Sequence, residues 1–142
     1  MKVKIKRFDT SLPMPEYKTS GAAGFDLYCK NDEEIAPGEF KLIATNLGFA
    51  VSEDSFLLVT SRGSTFHKFG LLVIPGILDS DFCGDEDKTK VQVINMTKEK
   101  VTLSKGTRFA QGIIIKIYHG EFDEVDKMPG KTRGMLGTTG YN

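Results

Sequence analysis

Short apolar segments separated by glycine, proline and charged residues dominate the chain, and no segment keeps a helical period over several turns. Val3 and Ile5 alternate with lysines, which predicts a half-buried strand. The continuous apolar run at residues 113–115 is typical of a strand that is covered on both faces. We expect strands at residues 3–8, 24–28, 40–45, 48–51, 56–60, 71–74, 90–95, 100–103 and 108–118, with one short helical turn after Ser64. Many short strands at this spacing predict a jelly-roll or barrel-like all-β domain.

The segment from Gly76 to Gly84 carries candidate chemistry. Pro75 and Gly76 are predicted to form the turn of a hairpin, because proline fixes φ and glycine adopts backbone angles that other residues avoid. Asp79 follows the apolar run of this hairpin and precedes Phe82. A carboxylate in that position is expected to be partly desolvated, which suits a general base. From these residues alone, an aspartate that merely caps a turn is the simpler interpretation.

Length and composition narrow the class of protein. A chain of 142 residues suits one domain with a single core. Lys and Arg total 19 and Asp and Glu total 19, so no net field favours nucleic acid or an anionic membrane surface as a partner. No apolar run reaches the length of a signal-peptide core or a membrane span, so we expect no membrane association. Cys29 and Cys83 lack metal-ligand spacing, which predicts reduced thiols in a cytoplasmic protein, or in a nuclear one if the source is eukaryotic or viral.

Five segments, taken in order, carry a resemblance that none of them carries alone. They are residues 23–27 (AGFDL), 61–65 (SRGST) with Lys68 and Gly70, 76–84 (GILDSDFCG), 106–111 (GTRFAQ), and 133–134 (RG) with 137–140 (GTTG). In this order the chain resembles the homotrimeric dUTP diphosphatases (dUTPases). The resemblance implies a distorted jelly-roll β-barrel at residues 1–127, followed by a flexible C-terminal arm at residues 128–142 that carries the fifth segment.

The resemblance also implies a reaction. It is the Mg²⁺-dependent hydrolysis of dUTP to dUMP and pyrophosphate, which limits uracil in DNA and supplies dUMP for dTMP synthesis. Asp79 matches the carboxylate that positions and deprotonates the attacking water and that contacts the deoxyribose 3′-hydroxyl. Phe82 replaces the usual tyrosine and is expected to pack under the sugar, crowding a ribose 2′-oxygen. The main chain around Gly76 is expected to pair with the Watson–Crick edge of uracil, which rejects cytosine because a mismatch leaves buried groups unpaired.

The second segment resembles the phosphate loop of that family. Backbone N–H groups and hydroxyls of Gly63, Ser64 and Thr65 are expected to hold the α- and β-phosphates, with Arg62 as a charged anchor. The family has a serine directly after the arginine, and this chain has Gly63 there. A turn of Ser, Gly and Thr that binds no ligand is the alternative.

The resemblance implies one Mg²⁺, held chiefly by the three phosphates and with few or no direct protein ligands. Such a site fits a cation that keeps its waters and uses substrate oxygens. Asp26 and Gln111 match residues that organise the metal-bound waters. In isolation, the same two residues would be an ordinary turn residue and an ordinary polar strand residue.

The arm and one insertion depart from the family pattern. Arg133 is expected to grip the γ-phosphate, Thr138 and Thr139 to complete the triphosphate cage, and Leu136 to cover the uracil where the family has phenylalanine. The spacing of this segment is two residues shorter than usual. Residues 85–89 lengthen the link after the third segment by about three residues and predict a solvated, charged bulge. The family assembles as a homotrimer in which several chains build each site and the arm is lent to a neighbour.

Two other functions remain open at this point. One is a sister enzyme, either a dCTP deaminase or a diphosphatase with a different base preference. Deaminases of this fold are longer, and no carboxylate-bearing segment for ammonia chemistry is evident. The other is a catalytically weak nucleotide sensor or regulatory binding protein with a dUTPase fold, which the altered phosphate loop and arm leave open.

Overall fold

The computed structural model describes residues 2–132 and residue 134, and within them the chain forms eleven strands and one short helix. The strands are β1 (Lys4–Arg7), β2 (Phe25–Tyr28), β3 (Glu33–Ile35), β4 (Phe40–Ala44), β5 (Leu47–Ala50), β6 (Ser55–Thr60), β7 (Leu71–Ile74), β8 (Gly76–Leu78), β9 (Lys90–Asn95), β10 (Val101–Leu103) and β11 (Arg108–Lys116), and helix α1 spans Thr65–Phe69. The prediction of an all-β domain is therefore confirmed.

The strands pair antiparallel in four small sheets within the part of the chain that the structure describes. The largest has the order β2-β11-β6-β8, and the second has the order β4-β9-β7. Two ribbons, β1-β5 and β3-β10, complete the architecture. Buried and partly or fully exposed residues alternate along β6 and β9, so each strand turns one face toward a shared core.

Strand β11 runs through the middle of the fold, since it pairs with β2 on one side and β6 on the other. Gly112 lies in this strand, and a Cβ atom there would lie 2.8 Å from the ring of Phe25. Only glycine lets the strand and the ring approach so closely. The fully buried side chains around this strand include Leu27, Leu57, Val59, Phe109 and Ala110.

The short helix matches the predicted turn after Ser64. It ends at Gly70, whose φ of 66° lies in the left-handed region and whose N–H donates to the carbonyl of Phe66 at 2.7 Å. Glycine is favoured at this position because a Cβ atom is strained at positive φ.

Sequence patterns missed two strands and misplaced one turn. Strands β3 and β8 have three residues each, which is too short for a clear period of two. The expectation that Pro75 and Gly76 turn a hairpin is wrong, because β7 pairs with β9 whereas β8 pairs with β6. Pro75 is instead the point at which the chain passes from one sheet to another, and its missing N–H suits a residue between two ladders.

Strand β11 ends at Lys116, and residues 117–132 contain no helix or strand. Four large apolar side chains in this stretch are exposed: Tyr118, Phe122, Val125 and Met128. Most of the predicted arm contacts, those of Arg133, Leu136, Thr138 and Thr139, lie outside the described residues. Among the residues that are described, no helix has the length and apolar character needed to cross a membrane.

Candidate active site

Three neighbouring strands bring the first, second and fourth sequence segments together. Gln111 on β11 lies opposite Asp26 on β2 and opposite Thr60 at the end of β6. The loop that carries Arg62 begins directly after Thr60. The segments are more than 30 residues apart in the sequence, and the antiparallel register places them side by side.

Asp26 is the centre of an ion-pair network. Its Oδ1 lies 2.6 Å from Nε of Arg62, and its Oδ2 lies 3.2 Å from Nη1 of Arg108. Nη1 of Arg62 also donates to the carbonyl of Arg108 at 3.1 Å. The Asp26 side chain is only 12% exposed, so water screens these contacts less than it screens an ordinary surface pair. The network holds two guanidinium groups around one carboxylate and leaves a net positive charge at this end of the sheet.

The side chain of Gln111 links the loop that carries Arg62 to strand β11. Its Nε2 donates to the carbonyl of Ser61 at 2.8 Å. Gly24 lets the amide lie close to β2, since a Cβ atom at Gly24 would lie 3.0 Å from Oε1 of Gln111 and 2.8 Å from the carbonyl oxygen of Gly112. Both Arg62 and Ser61 are therefore positioned by residues of adjacent strands.

The residues after Arg62 differ in what they offer a ligand. Gly63 and Ser64 are exposed, and the Ser64 side chain makes no capping hydrogen bond to the helix. Thr65 is fully buried, its Oγ1 donates to the carbonyl of Phe109 at 2.9 Å, and its N–H donates to the carbonyl of Arg62 at 3.0 Å. The expectation that Thr65 binds phosphate is corrected, because both of its donors are used by the fold. Phosphate binding by Gly63 and Ser64 stays a prediction.

The turn that carries Asp79 follows β8 at the edge of the largest sheet. The N–H of Phe82 donates to the carbonyl of Asp79 at 3.1 Å and closes the turn. Asp79 is exposed, and the Phe82 side chain is 41% exposed. The partial desolvation expected for Asp79 is thus not found in the single chain, because β8 is an edge strand whose residues are only partly buried or exposed, Ile77 among them. Gly76, at the other end of β8, pairs with Val59.

The turn of Asp79 and the loop of Arg62 lie at opposite ends of the same strand pair. Leu78 of β8 lies opposite Leu57 of β6, so Asp79 continues away from the end of β6 that leads to Arg62. Counting residues along the register separates Asp79 and Arg62 by roughly 20 Å at the usual rise of a strand. One chain alone therefore does not bring these two predicted site residues together.

The insertion after Gly84 is anchored rather than freely solvated. Asp85 pairs with Nζ of Lys6 at 2.7 Å, and Oδ2 of Asp87 accepts the N–H of Gly84 at 2.7 Å. The ammonium groups of Lys6 and Lys88 lie 4.9 and 4.8 Å from the centre of the Phe8 ring. These contacts fix the insertion on β1, so the prediction of a solvated bulge is correct for its exposed carboxylates only.

The carboxylate that the predicted magnesium site uses, Asp26, is engaged by arginines of the protein itself. Within residues 2–132 and 134, no three His, Cys, Asp or Glu side chains come close enough to hold a cation together. Both oxygens of Asp26 face arginines, which makes its carboxylate a poor direct ligand. This set fits a cation that is held by substrate oxygens and waters.

Sequence reasoning missed Arg108 as a site residue. It lies within the fourth segment, and its side chain is 48% exposed while it holds Asp26. Its position three residues before Gln111 could have indicated a role in the site. That position becomes informative only when β2 is known to pair with β11, because this pairing places Arg108 beside Asp26.

Comparison with known proteins identifies the family of the chain. The dUTPase family model matches residues 10–140 of the chain. The deoxyuridine 5′-triphosphate nucleotidohydrolase of Nautilia profundicola is 37% identical over 144 residues, which cover 99% of both chains. The chain belongs to the dUTPase family.

Solved structures agree on the fold. A mutant dUTPase of Staphylococcus bacteriophage 80alpha, determined with dUpNHpp, has a TM-score of 0.88 at 19% identity and covers 99% of both chains. A mutant dUTPase from phage phi11 of S. aureus has a TM-score of 0.81 at 18% identity over 92% of this chain and 100% of that one, and its description refers to a structural Mg(II) ion. The predicted jelly-roll fold is confirmed by these likenesses.

Proposed function

We infer that this chain hydrolyses dUTP to dUMP and pyrophosphate, and we propose that Asp79 is its general base. The observation that carries the assignment is that a member of the dUTPase family has both an exposed aspartate turn and a preorganised arginine cluster. A carboxylate can accept the proton of a water, and guanidinium groups can hold a triphosphate.

The reaction follows from these two groups. Asp79 accepts a proton from a water whose oxygen attacks the α-phosphorus. A new P–O bond forms, and the bond from the α-phosphorus to the oxygen that bridges to the β-phosphorus breaks. The electron pair leaves with the pyrophosphate, so dUMP keeps the oxygen of the water. Exposure of Asp79 in the single chain keeps its carboxylate accessible to both water and substrate.

Arg62, Gly63 and Ser64 form the phosphate-binding surface in this proposal. Asp26 and Arg108 hold the guanidinium of Arg62 in place before substrate arrives, which lowers the conformational cost of binding. The exposed part of the Arg108 guanidinium adds positive charge beside the same loop. A carboxylate that faces two arginines also keeps them from repelling each other.

The base and the sugar are assigned to β8 and its turn. The main chain at Gly76 is proposed to read uracil, and Phe82 to pack under the deoxyribose. Gly76 and Asp79 are three residues apart, or roughly 10 Å along a strand, which suits a ligand whose base lies at one end and whose α-phosphate lies at the other.

Mg²⁺ is proposed as the cofactor, held by phosphate oxygens, and it would neutralise part of the triphosphate charge when bound. Asp26 and Gln111 are proposed to organise its waters. Asp26 already serves two arginines, so its contribution to those waters is indirect, and Gln111 keeps one amide oxygen for them.

The separation of Asp79 from Arg62 supports a shared site. An attacking water and a phosphate-binding arginine must both lie within hydrogen-bond reach of one α-phosphate, and roughly 20 Å between them excludes this within one chain. We therefore propose the homotrimer of the family, in which Asp79 of one chain faces the Arg62 loop of another. Closed cyclic symmetry then gives three equivalent sites.

The arm offers a second contact between chains. The exposed side chains of Tyr118, Phe122, Val125 and Met128 need an apolar partner. An apolar recess of about 400 Å³ lies beside β1, between Val3, Ile5, Tyr17, Phe25, Phe49 and Ile114. Among the described residues, β1 pairs on one side only and carries lysines, whereas residues 121–126 contain four carboxylates. We propose that residues 118–128 of a second copy lie along β1, joined by strand addition and charge complementarity.

The remaining arm residues keep their predicted roles as proposals: Arg133 binds the γ-phosphate, Thr138 and Thr139 close the phosphate cage, and Leu136 covers uracil. We place the reaction in the cytoplasm. Both cysteines are free, and burial raises the pKa of the Cys29 thiol to about 11, which suits a reducing compartment and an inert thiol.

Product analysis tests the proposal. With Mg²⁺ present, chromatography should show one dUMP and one pyrophosphate for each dUTP consumed, with dCTP unchanged. Release of ammonia from dCTP would identify the deaminase instead. Tight binding of dUTP without turnover would identify the sensor, and either result would overturn the proposed function.

A further inference from the structure

A small recess lies against the turn that carries Asp79 and Phe82. Its volume is about 10 Å³, which is room for about one water. Thr89 lines the recess together with Asp79 and Phe82, and the remaining lining consists of apolar side chains at or near β5, β6 and β8. Asp79 and Thr89 are therefore the only lining residues with polar side chains.

The hydroxyl of Thr89 is buried and unpaired among the residues that the structure describes. Thr89 is 1% exposed, and its Oγ1 has no hydrogen-bond partner there. A buried hydroxyl without a partner costs about 1–3 kcal/mol, so this atom needs a partner that the described residues do not supply.

The backbone of Thr89 holds the residue firmly in place. Its N–H donates to the carbonyl of Leu47 at 2.8 Å, and its carbonyl accepts both the N–H of Thr45 at 3.0 Å and the Thr45 hydroxyl at 2.8 Å. Three hydrogen bonds to the β4–β5 connection make Thr89 a rigid point beside a turn that is otherwise exposed.

We propose that Thr89 is a positioning residue for the catalytic turn. Its hydroxyl binds one water in the recess, and that water donates its other hydrogen bond to an oxygen of Asp79. The bridge links the exposed turn to the rigid β4–β5 connection and limits the orientations of Asp79 and of the neighbouring Phe82. Thr89 touches neither substrate nor metal in this arrangement. The inference rests on the proposed role of Asp79 as the base.

Two substitutions separate the hydroxyl from the shape of the side chain. Thr89→Val keeps the branched shape and removes the hydroxyl, whereas Thr89→Ser keeps the hydroxyl. Ser55→Ala is the matched control, because Ser55 is also 1% exposed and loses a buried hydroxyl outside the recess.

Steady-state kinetics give the readout. We expect Thr89→Val to lower kcat about tenfold with little change in KM, and Thr89→Ser to restore most of kcat. Ser55→Ala should lower Tm without this loss of kcat. Normal kcat in Thr89→Val, or a Thr89→Ser variant as impaired as Thr89→Val, would overturn the proposal.

A high-resolution crystal structure of the wild-type protein gives a second test that does not depend on how the variants fold. We expect a water between Oγ1 of Thr89 and Asp79, and a dry recess would overturn the proposal. The variant Asp79→Asn separates the two levels of inference. If it kept full turnover, the proposed function and this inference would both fall, whereas an inactive Asp79→Asn beside a normal Thr89→Val would overturn this inference alone.

Discussion

The loop after β6 and the turn after β8 are both assigned to the same triphosphate, yet the chain builds them differently. Arg62 is held by Asp26, Arg108 and the strands beneath them, and its surroundings are half-buried. Asp79 and Phe82 are exposed, and the turn extends beyond the sheet edge. One half of the proposed site, the Arg62 loop, is therefore preorganised in a single chain. The other, exposed half is the turn that carries Asp79, where the proposed base has no enclosing pocket in the single chain.

The difference follows from what each half must do. An anion-binding loop gains from being rigid before substrate arrives, because ordering a long arginine side chain costs conformational entropy. A general base needs an enclosed pocket only when substrate and water are in place. In the homotrimer that we propose, a second chain would enclose the Asp79 turn, so we expect activity to depend on assembly.

We expect the largest effect from removing the proposed general base in the exposed half of the site. Asp79→Asn keeps the size of the side chain but cannot accept the proton of water, so kcat should fall by about 10²-fold or more while dUTP still binds. Steady-state turnover and calorimetric binding measure the two quantities. Asp81→Asn removes another exposed carboxylate of the same turn and should leave kcat nearly unchanged. Equal losses in both variants would show that the turn needs charge rather than a base.

Removing the C-terminal arm tests whether the arm of a neighbouring chain encloses the exposed half of the site. A chain that ends at Pro129 lacks the predicted phosphate contacts, so its kcat/KM should fall by about 10- to 100-fold while light scattering still shows a trimer. A chain that ends at Ile117 also lacks the exposed apolar side chains of the arm and should lose trimer stability. Full activity in the first variant would show that the arm is dispensable in this protein.

Phe82 tests sugar selection in the exposed half. Phe82→Ala removes the ring that crowds a ribose 2′-oxygen, so the ratio of kcat/KM for dUTP to that for UTP should fall about tenfold. Phe40→Ala deletes an exposed ring on β4 and serves as the control for a general loss of aromatic surface. If both variants keep the wild-type ratio, discrimination lies elsewhere.

The smallest effect concerns stability rather than catalysis. Hydrogen bonds from Lys105 and Ser11 hold the pKa of Asp9 well below its usual range. The stabilisation is therefore present above the unfolded-state pKa of about 4 and is lost as pH falls through the lower folded-state value. Asp9→Asn should lower Tm at pH 7, and the difference from wild type should shrink below about pH 4. Unchanged kcat in Asp9→Asn would show that the contact of Asp9 with Lys105 does not affect either half of the site. A Tm difference that persists in acid would show that the ionised carboxylate of Asp9 does not supply the stabilisation.

Sequence patterns predicted most of the fold because its longer strands have clear periods. The nine-residue β11 and the alternating β6 are examples. They missed β3 and β8, whose three residues show no period, and they assigned Pro75 to a hairpin because a Pro-Gly pair looks the same in a tight turn and at a passage between sheets.

The site was predicted less completely than the fold. Segment order singled out Asp26, Arg62, Asp79 and Gln111 as candidates. It could not show that Thr65 is buried or that Arg108 shares Asp26 with Arg62. Those facts depend on which strands pair, and strand pairing across more than 40 residues leaves no local mark in the sequence. The same pairing revealed the distance between Asp79 and Arg62.

Mixing two inactive variants tests the central claim, that Asp79 and Arg62 of one site come from different chains. Asp79→Asn and Arg62→Gln are each expected to be inactive, and after dissociation and joint reassembly the mixed trimers should contain intact sites. Random mixing at equal amounts should restore about one quarter of wild-type turnover, because each mixed trimer has one site that receives both native residues. No recovery, with mixed trimers demonstrated by mass spectrometry, would show that both residues act from the same chain and would contradict the account.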